Sequence, residues 1–524
     1  MDSVNSRLRF VVIDRFASKP QLPFPNVVLR IDNWDDFHLQ TLFDVTLRTG
    51  PADELSLGSV KILQHGQEVG RPRLPSSFDR LDTDFCSLGQ DIEYYEKLMG
   101  QPDKLRQTYL YALRDAAADP EIEQEFIEER GWKESLLRFG EAVNALEAGR
   151  QLVHGTALKT DQLSFRFDWW REGALTEVPF RFDDTQALPG RCCVLIGYNG
   201  AGKTTLLADL ALTASSGRKP HPENVQHSTI RGDATTFGAV VAVSYSAFDT
   251  FGTPESIRGG TDPDTNKPKS GSRTAIFGYV YCGLRRRTDK GDRHANDPER
   301  NEFELKSIVE IELEFAEALR TAGRRREGGF LVSAFEALSR EPSFGLVGID
   351  IATLGKGLDS AGAIEVFHKL STGHKIVLNI VAQLAAHLRT RSLVLIDEPE
   401  THLHPPLVAA LLGAIQVLLK AHSSFAVIAT HSPVVVQEIP AKYVSILERD
   451  DTGVSVRGPE IETFAENIGA ITRHVFSLDS SATDYQGILA SLSERHTVDE
   501  INDMFNEGLS VQGRALVASY RKLP

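Results

Sequence analysis

The segment from Arg191 to Leu212, RCCVLIGYNGAGKTTLLADLAL, constrains the fold more than any other part of the chain. It is typical of a short apolar strand, a glycine-rich turn and a helix with apolar residues at helical spacing. The turn matches the pattern G-x-x-x-x-G-K-[ST]. In that pattern the backbone N–H groups point at phosphate oxygens, and the helix dipole adds to the attraction. The lysine reaches the β- and γ-phosphates, and the Ser or Thr hydroxyl can bind Mg²⁺. The residues predicted to hold the phosphates are Gly197, Asn199, Gly200, Ala201, Gly202, Lys203, Thr204 and Thr205.

Two further apolar strands end in polar side chains that suit phosphate chemistry. The strand in RSLVLIDEPE ends at Asp397 and Glu398, and the strand in FAVIATHSP ends just before His431. Asp397 can hold Mg²⁺ through water, and Glu398 can take a proton from an attacking water. A histidine at the end of such a strand can reach the γ-phosphate. An acidic pair or a loop histidine is usually only solvated or capping, but a phosphate loop in the same domain favours a functional interpretation.

The turn LSTGHK, Leu370 to Lys375, is a weak signal alone because many helices begin with Ser-Thr-Gly. Ser371 can cap the following helix, and its hydroxyl, the free N–H groups near Gly373 and the helix dipole form a second anion site. The helix is predicted to bury one apolar stripe. The stripe contains Val377, Ile380, Val381, Leu384 and Leu388.

Composition sets broad limits on the class of protein. A chain of 524 residues allows roughly three or four domains of about 100–200 residues each. The net charge of −15 argues against coating nucleic acid by bulk charge, but not against a local basic patch. The four cysteines have no CxxC spacing, which favours a reducing cytosol. No signal peptide and no apolar run long enough for a bilayer is found, so a cytoplasmic protein without membrane contact is expected.

The chain divides into four predicted zones. Residues 1–88 are β-rich, residues 89–153 are helical, residues 154–447 carry every chemical motif, and residues 448–524 form a small helical tail. The third zone contains an insertion at about 252–360. Two stretches poor in apolar residues, Ser215 to Ser228 and Gly252 to Arg273, are predicted to be disordered. His402 and His404 precede a Pro-Pro helix start, and a structural turn role is favoured over metal binding because no ligand set is complete.

The order GYNGAGKT, LSTGHK, LVLIDEPETHLHPP, ATHSP resembles the ATP-binding-cassette class, in the SMC-like and OLD-like bacterial branch of AAA-family ATPases. The resemblance covers about half of the chain. It implies an α/β head with a mixed sheet that binds ATP and Mg²⁺. It also implies that Lys203 and Thr204 are the Walker A residues, Asp397 the Walker B metal residue, Glu398 the catalytic base and His431 the switch histidine. Thr204 and Asp397 are then the metal ligands.

In that family two heads close around two ATP molecules, and the signature turn of one head meets the γ-phosphate held by the other. The resemblance therefore implies a role for LSTGHK. Ser371 and Gly373 would contact the nucleotide held by the partner head of a homodimer or higher oligomer. This sequence has Thr372 and His374 where the family usually has Gly or Ser and Gln or Glu. It also lacks the Q-loop glutamine after VVAVSYSAFDTF, where Ser244, Ser246 and Asp249 stand. An adenine-stacking residue stays open among six aromatic residues, Phe165, Phe167, Trp169, Trp170, Phe180 and Phe182.

The process driven by such heads is a separate question. Asp450 and Asp451 lie in a turn-like ERDDTG and form no Toprim nuclease set, so no nuclease is expected in this chain. The plan is similar to ATPase subunits of anti-phage systems such as Septu or retron-linked ATPases, which act with a separate effector, an HNH-type nuclease being one candidate. A DNA-repair or chromosome-maintenance ATPase and a nucleotide-gated scaffold remain alternatives. Two clusters, Arg285–Arg287 and Arg324–Arg326, are candidate nucleic-acid contacts, although such triplets usually lie on a solvated face.

Overall fold

The computed structural model of the chain describes most of the sequence, with gaps. The described residues are 8–155, 161–185, 187–215, 227–232, 236–247, 249–252, 275–276, 278–287, 303–324, 329–346, 360–450, 453–475 and 484–520. Apart from their ends, the two segments predicted to be disordered lie outside these ranges.

Residues 8–153 form an N-terminal unit of one six-stranded sheet and four α-helices. The strand order is β5-β1-β2-β3-β4-β6, and the pairs are antiparallel except for β1 with β2. The β-rich and helical regions that the sequence divides at residue 88 share one core, in which Phe43, Tyr94 and Trp132 are buried. The strands are β1 Arg9–Ile13, β2 Asn26–Ile31, β3 Leu42–Arg48, β4 Glu54–Gln64, β5 Ser77–Phe78 and β6 Phe85–Gly89; the helices are α1 Ile92–Met99, α2 Asp103–Leu113, α3 Pro120–Phe126 and α4 Gly140–Val153, with a π-helical turn Trp132–Leu136.

Asp36 and Lys61 are two buried charges of the N-terminal unit that pair with each other. The Asp36 carboxylate lies 2.7 Å from Lys61 Nζ and 2.7 Å from Arg138 Nη1, and it accepts a hydrogen bond from Ser135 Oγ at 2.9 Å. The side chains of Asp36 and Lys61 have no exposed surface. Because removing one partner of such a pair leaves an uncompensated buried charge, this cluster ties the sheet to the π-helical turn.

Residues 162–475 form a central unit around an eight-stranded sheet. Its order is β12-β13-β11-β16-β17-β9-β18-β19, and the six strands from β13 to β18 are parallel. Five of them are buried at every position: Cys192–Ile196, Val240–Ser244, Tyr279–Gly283, Leu393–Asp397 and Phe425–Ala429. Continuous apolar runs of this kind suit a parallel sheet whose two faces are both covered. Together with its helices, this parallel-rich mixed sheet gives the α/β fold class that the sequence predicts.

Helices and a smaller antiparallel sheet surround the main sheet. The smaller sheet has the order β10-β7-β8. The helix after LSTGHK buries all five residues of its predicted stripe, but it also buries eight other residues between His374 and Ala386. The helix is therefore covered on nearly every side rather than along one stripe. The strands of the central unit are β7 Gln162–Arg171, β8 Ala174–Asp183, β9 Cys192–Ile196, β10 Thr229–Gly232, β11 Val240–Ser244, β12 Ala275–Ile276, β13 Tyr279–Gly283, β14 Arg285–Arg287, β15 Phe303–Leu305, β16 Leu393–Asp397, β17 Phe425–Ala429, β18 Val444–Asp450 and β19 Gly453–Arg457. The helices are α5 Lys203–Ser215, α6 Ile308–Arg324, α7 Gly329–Leu338, α8 Pro342–Leu346, α9 Ser360–His368, α10 Thr372–His387, α11 Pro405–Ala421, α12 Pro433–Gln437 and α13 Ile468–His474, with a 3₁₀ turn Ala441–Tyr443.

Two boundaries differ from the sequence-based division. The main sheet continues past residue 447, because β18 and β19 pair antiparallel up to Arg457. Strand β13, inside the predicted insertion at 252–360, pairs in parallel with β11. Sequence alone could not show either pairing, since both depend on contacts between strands far apart in the chain. Helices α14 Asp484–Arg495, α15 Val498–Asp503 and α16 Val511–Tyr520 then pack around a small separate core.

Within the described ranges, no helix combines the length and apolar character needed to cross a bilayer. All four cysteines are buried free thiols.

Candidate nucleotide-binding site

The site forms where the parallel strands of the main sheet end. Asp397 pairs in register with Ser244 on one side and Ala429 on the other, so the chain leaves these three strands at one level. Strand β9 lies next to β17 and leads into the glycine-rich turn. This carboxyl edge is where open parallel sheets bind ligands.

The glycine-rich turn needs glycine for two different reasons. Gly200 and Gly202 have φ of 85° and 96°, a backbone conformation that residues with a side chain rarely adopt. At Gly197 the cause is crowding, because a Cβ atom there would lie 2.4 Å from the carbonyl oxygen of Leu447 on β18. Ala201 is buried beneath the turn. Gly197 therefore holds the turn against the sheet, and Gly200 and Gly202 give it the curvature of a phosphate cradle.

Lys203 lies at the first position of α5, and its side chain points into the site. Its Nζ donates to the carbonyl oxygens of Gly197 at 3.0 Å and Tyr198 at 3.4 Å, and it lies 2.6 Å from His431 Nε2. Burial lowers the pKa of Lys203, and the nearby carboxylates of Glu398 and Asp397 oppose that effect. Burial also lowers the pKa of His431, with the Lys203 charge as a further cause. A neutral His431 can accept the hydrogen bond from the Lys203 ammonium.

Thr204 and Asp397 form the pair predicted to hold Mg²⁺. Thr204 Oγ1 lies 3.0 Å and 2.9 Å from the two carboxylate oxygens of Asp397. Asp397 is only 3% exposed, and burial raises its pKa to about 7. A hydroxyl and a carboxylate are the oxygen ligands that Mg²⁺ takes in such sites, and a cation would relieve the cost of burying the carboxylate. The donor set therefore fits Mg²⁺.

Glu398 and His431 face each other across the site. Glu398 Oε1 lies 3.3 Å from His431 Nε2, and both side chains are about one-third exposed, at 35% and 30%. Glu398 has φ of 47°, so the chain turns sharply there, and its N–H donates to the Ala429 carbonyl at 2.8 Å. This turn projects the carboxylate beyond the end of the strand.

Glu400 is a site residue that the sequence analysis missed. Its Oε1 accepts hydrogen bonds from Thr430 Oγ1 and from the His431 N–H, each at 2.7 Å. Burial raises the pKa of Glu400. It joins the loop after β16 to the loop after β17 and so positions His431. The third carboxylate in DEPE was the available signal.

A cleft of about 450 Å³ contains most of the predicted residues. Part of its lining comes from the tip of the β7–β8 hairpin and from the adjoining ends of β18 and β19, neither of which the sequence linked to the site. Of the six aromatic candidates only Trp169 lines this cleft, and its indole Nε1 donates to Asp209 at 2.8 Å. The cleft is lined by Trp169, Arg171, Glu172, Ala174, Thr176, Asn199, Gly200, Gly202, Lys203, Thr204, Thr205, Glu398, His431, Arg449, Asp450, Gly453 and Val454.

The LSTGHK turn lies elsewhere on the surface. Neither Ser371 nor Gly373 lines the cleft, and Ser371 is exposed. The side chain of Ser371 caps α10 by accepting from the His374 N–H at 3.4 Å. A Cβ atom at Gly373 would lie 3.2 Å from Leu407 Cδ2 and 3.4 Å from the His402 carbonyl oxygen. Gly373 thus fits the turn closely against the loop that follows Asp397 and Glu398.

The remaining candidates have structural partners. His404 caps α11 by accepting from the Leu407 N–H, and His402 has φ of 68° in the preceding turn. Both positions suit the favoured turn role.

Asp249 is buried and bound to Tyr281 Oη at 2.8 Å and to Arg285 Nη2 at 2.6 Å, and its charge helps to raise the pKa of Asp397. Ser244, beside Asp397 in the sheet, is the better placed of the Q-loop candidates; Ser246 is half-buried beyond it.

The described side chains of the arginine clusters, Arg285 and Arg286, are paired within the chain. Arg285 pairs with buried Asp249, and Arg286 pairs with Glu304 and Glu310. The side chains of Arg287 and Arg324 are not described, and Arg325, Arg326 and Asp451 lie outside the described residues. Carboxylates of the same chain thus neutralise the charges of Arg285 and Arg286, which a nucleic-acid contact would need.

Comparisons with known proteins match the chain to a domain family, a phage protein and a solved structure. Residues 279–437 match the domain family described as "AAA domain, putative AbiEii toxin, Type IV TA system". "Protein ea59" of Escherichia phage lambda is 29% identical over 547 residues, covering 97% of each chain. The crystal structure of UvrA2 from Deinococcus radiodurans aligns with 57% of this chain and 38% of its own, at 14% identity and a TM-score of 0.26. Residues 279–437 are thus similar to an AAA-type ATPase domain, and the matched range includes the LSTGHK turn, β16 and His431 but not the glycine-rich turn.

Proposed function

We propose that this chain binds ATP with Mg²⁺ and hydrolyses it. One observation carries the proposal: Lys203, Thr204, Asp397, Glu398 and His431 converge at one edge of the sheet, in contact with one another. Mg²⁺ bound there would neutralise charge that develops on the transferred phosphoryl group. Thr204 and Asp397 would hold it, while the turn from Gly197 to Gly202 and Lys203 would bind the phosphates.

Glu398 is the proposed general base. Its carboxylate projects from a sharp turn into the cleft, where it can accept a proton from an attacking water. His431 contacts both Glu398 and Lys203 and can orient the γ-phosphate between them. Glu400 fixes the backbone here by accepting one hydrogen bond from the His431 N–H and a second from the neighbouring Thr430 hydroxyl.

The exposed signature turn supports a second step, closure of two heads around ATP. Ser371 and the N-terminus of α10 present a hydroxyl and a helix dipole at the surface, away from the chain's own cleft. A second copy of the chain is the proposed source of the phosphate that meets them.

The biological setting we propose is conflict between phage and host, in which ATP-dependent closure controls a separate effector such as a nuclease. Two findings support it. The full-length relative is encoded by a phage, and the matching domain family is described as a putative toxin of a toxin–antitoxin system.

The first test measures Mg²⁺-dependent ATP hydrolysis by the purified chain and by Asp397→Asn. We expect hydrolysis by the wild type and its loss in the variant, because the amide cannot replace the charge that holds the metal. Asp44→Asn, an exposed aspartate in β3, is the matched control and should behave as wild type. No hydrolysis even in a single turnover would instead favour a nucleotide-gated scaffold.

The second test isolates the native complex and identifies its components with ATP present and absent. Recovery of a nuclease with the ATP-bound chain supports effector control. Recovery of only the chain itself contradicts it.

A further inference from the structure

His374 connects the signature serine to a helix of the insertion. Its Nδ1 lies 2.7 Å from Ser371 Oγ, and its Nε2 lies 2.8 Å from Ser343 Oγ. Ser343 Oγ in turn donates to the carboxylate of Glu341. This series of contacts runs from Ser371, which is exposed at the N-terminus of α10, to the start of α8, Pro342–Leu346.

In this series of hydrogen bonds, each donor lies on the side of Ser371 and each acceptor on the side of Glu341. The Glu341 carboxylate only accepts, so the Ser343 hydroxyl donates to it. Ser343 Oγ then accepts from His374 Nε2–H, which leaves Nδ1 as the acceptor for the Ser371 hydroxyl. The proton of Ser371 therefore points inward, and its oxygen also accepts the backbone N–H of His374.

This arrangement opposes the role proposed for Ser371. To bind a phosphate oxygen, the Ser371 hydroxyl must donate outward, and here its proton is held by His374. The imidazole cannot easily turn away, because it is only 7% exposed and its ring packs edge-on against Phe344 at 4.5 Å. Phe344 belongs to the same short helix as Ser343.

We infer that His374 is a positioning residue that restrains the Ser371 hydroxyl, and that displacement of α8 releases it for the phosphate of the opposing head. Helix α8 contains both the acceptor Ser343 and the packing partner Phe344. A displacement of α8 would therefore remove a hydrogen bond and a packing contact of the His374 ring together. The inference rests on the proposed two-head ATPase, and it makes the position of α8 a control on hydrolysis.

The first experiment measures kcat and KM for ATP in Ser343→Ala. Without the Ser343 acceptor, His374 can carry its proton on Nδ1 and donate to Ser371, which frees the Ser371 proton. Releasing one hydrogen bond should raise kcat about 2- to 10-fold, with KM unchanged because the chain's own cleft is untouched. Ser339→Ala removes a nearby exposed hydroxyl that bonds only the Glu336 carbonyl among the contacts described, and it should leave both parameters as in wild type.

His374→Phe provides a second variant that retains an aromatic ring against Phe344. It removes the Nδ1 acceptor directly, so kcat should rise as in Ser343→Ala. A kcat that is unchanged or lower in both variants, with folding intact, overturns the inference.

A readout without ATP separates this inference from the proposed function. In ¹⁵N-histidine NMR spectra, with the His374 signal identified by its loss in His374→Phe, the wild type should show a neutral ring protonated at Nε2. Ser343→Ala should shift the population toward the Nδ1-protonated form. A wild-type ring protonated at Nδ1 overturns the inference even if the chain hydrolyses ATP. A ring protonated at Nε2 supports the restraint on Ser371 even if the chain does not hydrolyse ATP.

Discussion

Asp115 in the N-terminal unit and Asp397 in the central unit are alike in burial but not in surroundings. Each is nearly inaccessible to solvent, and burial raises the pKa of each to about 7. Asp115 accepts from the Tyr95 hydroxyl and from the N–H groups of Ala117 and Ala118. Asp397 accepts from the Thr204 hydroxyl, beside Lys203 at the edge of a cleft.

The difference shows that a raised pKa alone does not identify a functional carboxylate. Protein donors surround Asp115 within a closed core, so it joins β6 and the α2–α3 connection structurally. Asp397 lies among a hydroxyl, an ammonium and a second carboxylate, where a cation could enter. Direct hydrogen-bond partners, rather than burial, separate the two roles.

Replacing the proposed base should have the largest effect on the central unit. Glu398→Gln should bind ATP normally and hydrolyse it about 10²- to 10⁴-fold more slowly, because only proton acceptance is lost. ATP should therefore trap a closed dimer, which analytical ultracentrifugation would detect. Glu460→Gln, at an exposed position, is the control. Hydrolysis at the wild-type rate would show that Glu398 is not the base.

Lys203→Ala should act on binding instead. Lys203 is 5% exposed among carbonyl oxygens and His431, so its charge is aimed at the phosphate position. Losing a hydrogen bond from a charged group should weaken ATP affinity by about 10- to 100-fold. Lys442→Ala, outside the cleft, should bind as wild type. Equal affinities for the three proteins in a calorimetric titration would reject the phosphate-loop assignment.

Ser371→Arg should leave ATP binding by each head largely intact and lower hydrolysis. The long cation should block closure where a hydroxyl and a helix N-terminus are proposed to meet a phosphate. If Ser371 is only a helix cap, the change should cost about 1 kcal/mol of stability and hydrolysis should persist.

Mixing Ser371→Arg with Lys203→Ala chains tests whether the turn acts on the other head. A mixed dimer has one doubly damaged site and one site that combines an intact phosphate loop with an intact signature turn. ATPase activity should return in part as the mixing ratio approaches one, with subunit exchange confirmed separately. A hydrolysis rate that never exceeds those of the separate variants would contradict action between heads.

Sequence reasoning found the parts of the site that lie within single short segments. Asp397 is the last residue of a buried strand, and the glycine-rich turn, Glu398 and His431 follow closely after such strands. Their convergence could therefore be predicted from the rule that parallel strands share a carboxyl edge. Arg171 and Arg449 could not be found in this way, because they reach the cleft on hairpins whose docking depends on distant contacts. The bond between His374 and Ser343 joins residues 31 positions apart, and no local pattern indicates it.

Asp115→Asn should have the smallest effect on hydrolysis, within about twofold of wild type on the scale of a single net hydrogen bond. Its effect should be on the pH dependence of stability. The folded-state pKa of about 7 lies above the ordinary value of 3.8. Between those values the folded chain keeps a proton that the unfolded chain has released, so the free energy of unfolding should fall as pH rises. The variant lacks this proton, and its stability should change less between pH 5 and pH 8. Urea unfolding, with Asp44→Asn as the exposed control, measures that change; a variant whose pH dependence equals that of wild type would show that Asp115 does not carry the buried proton.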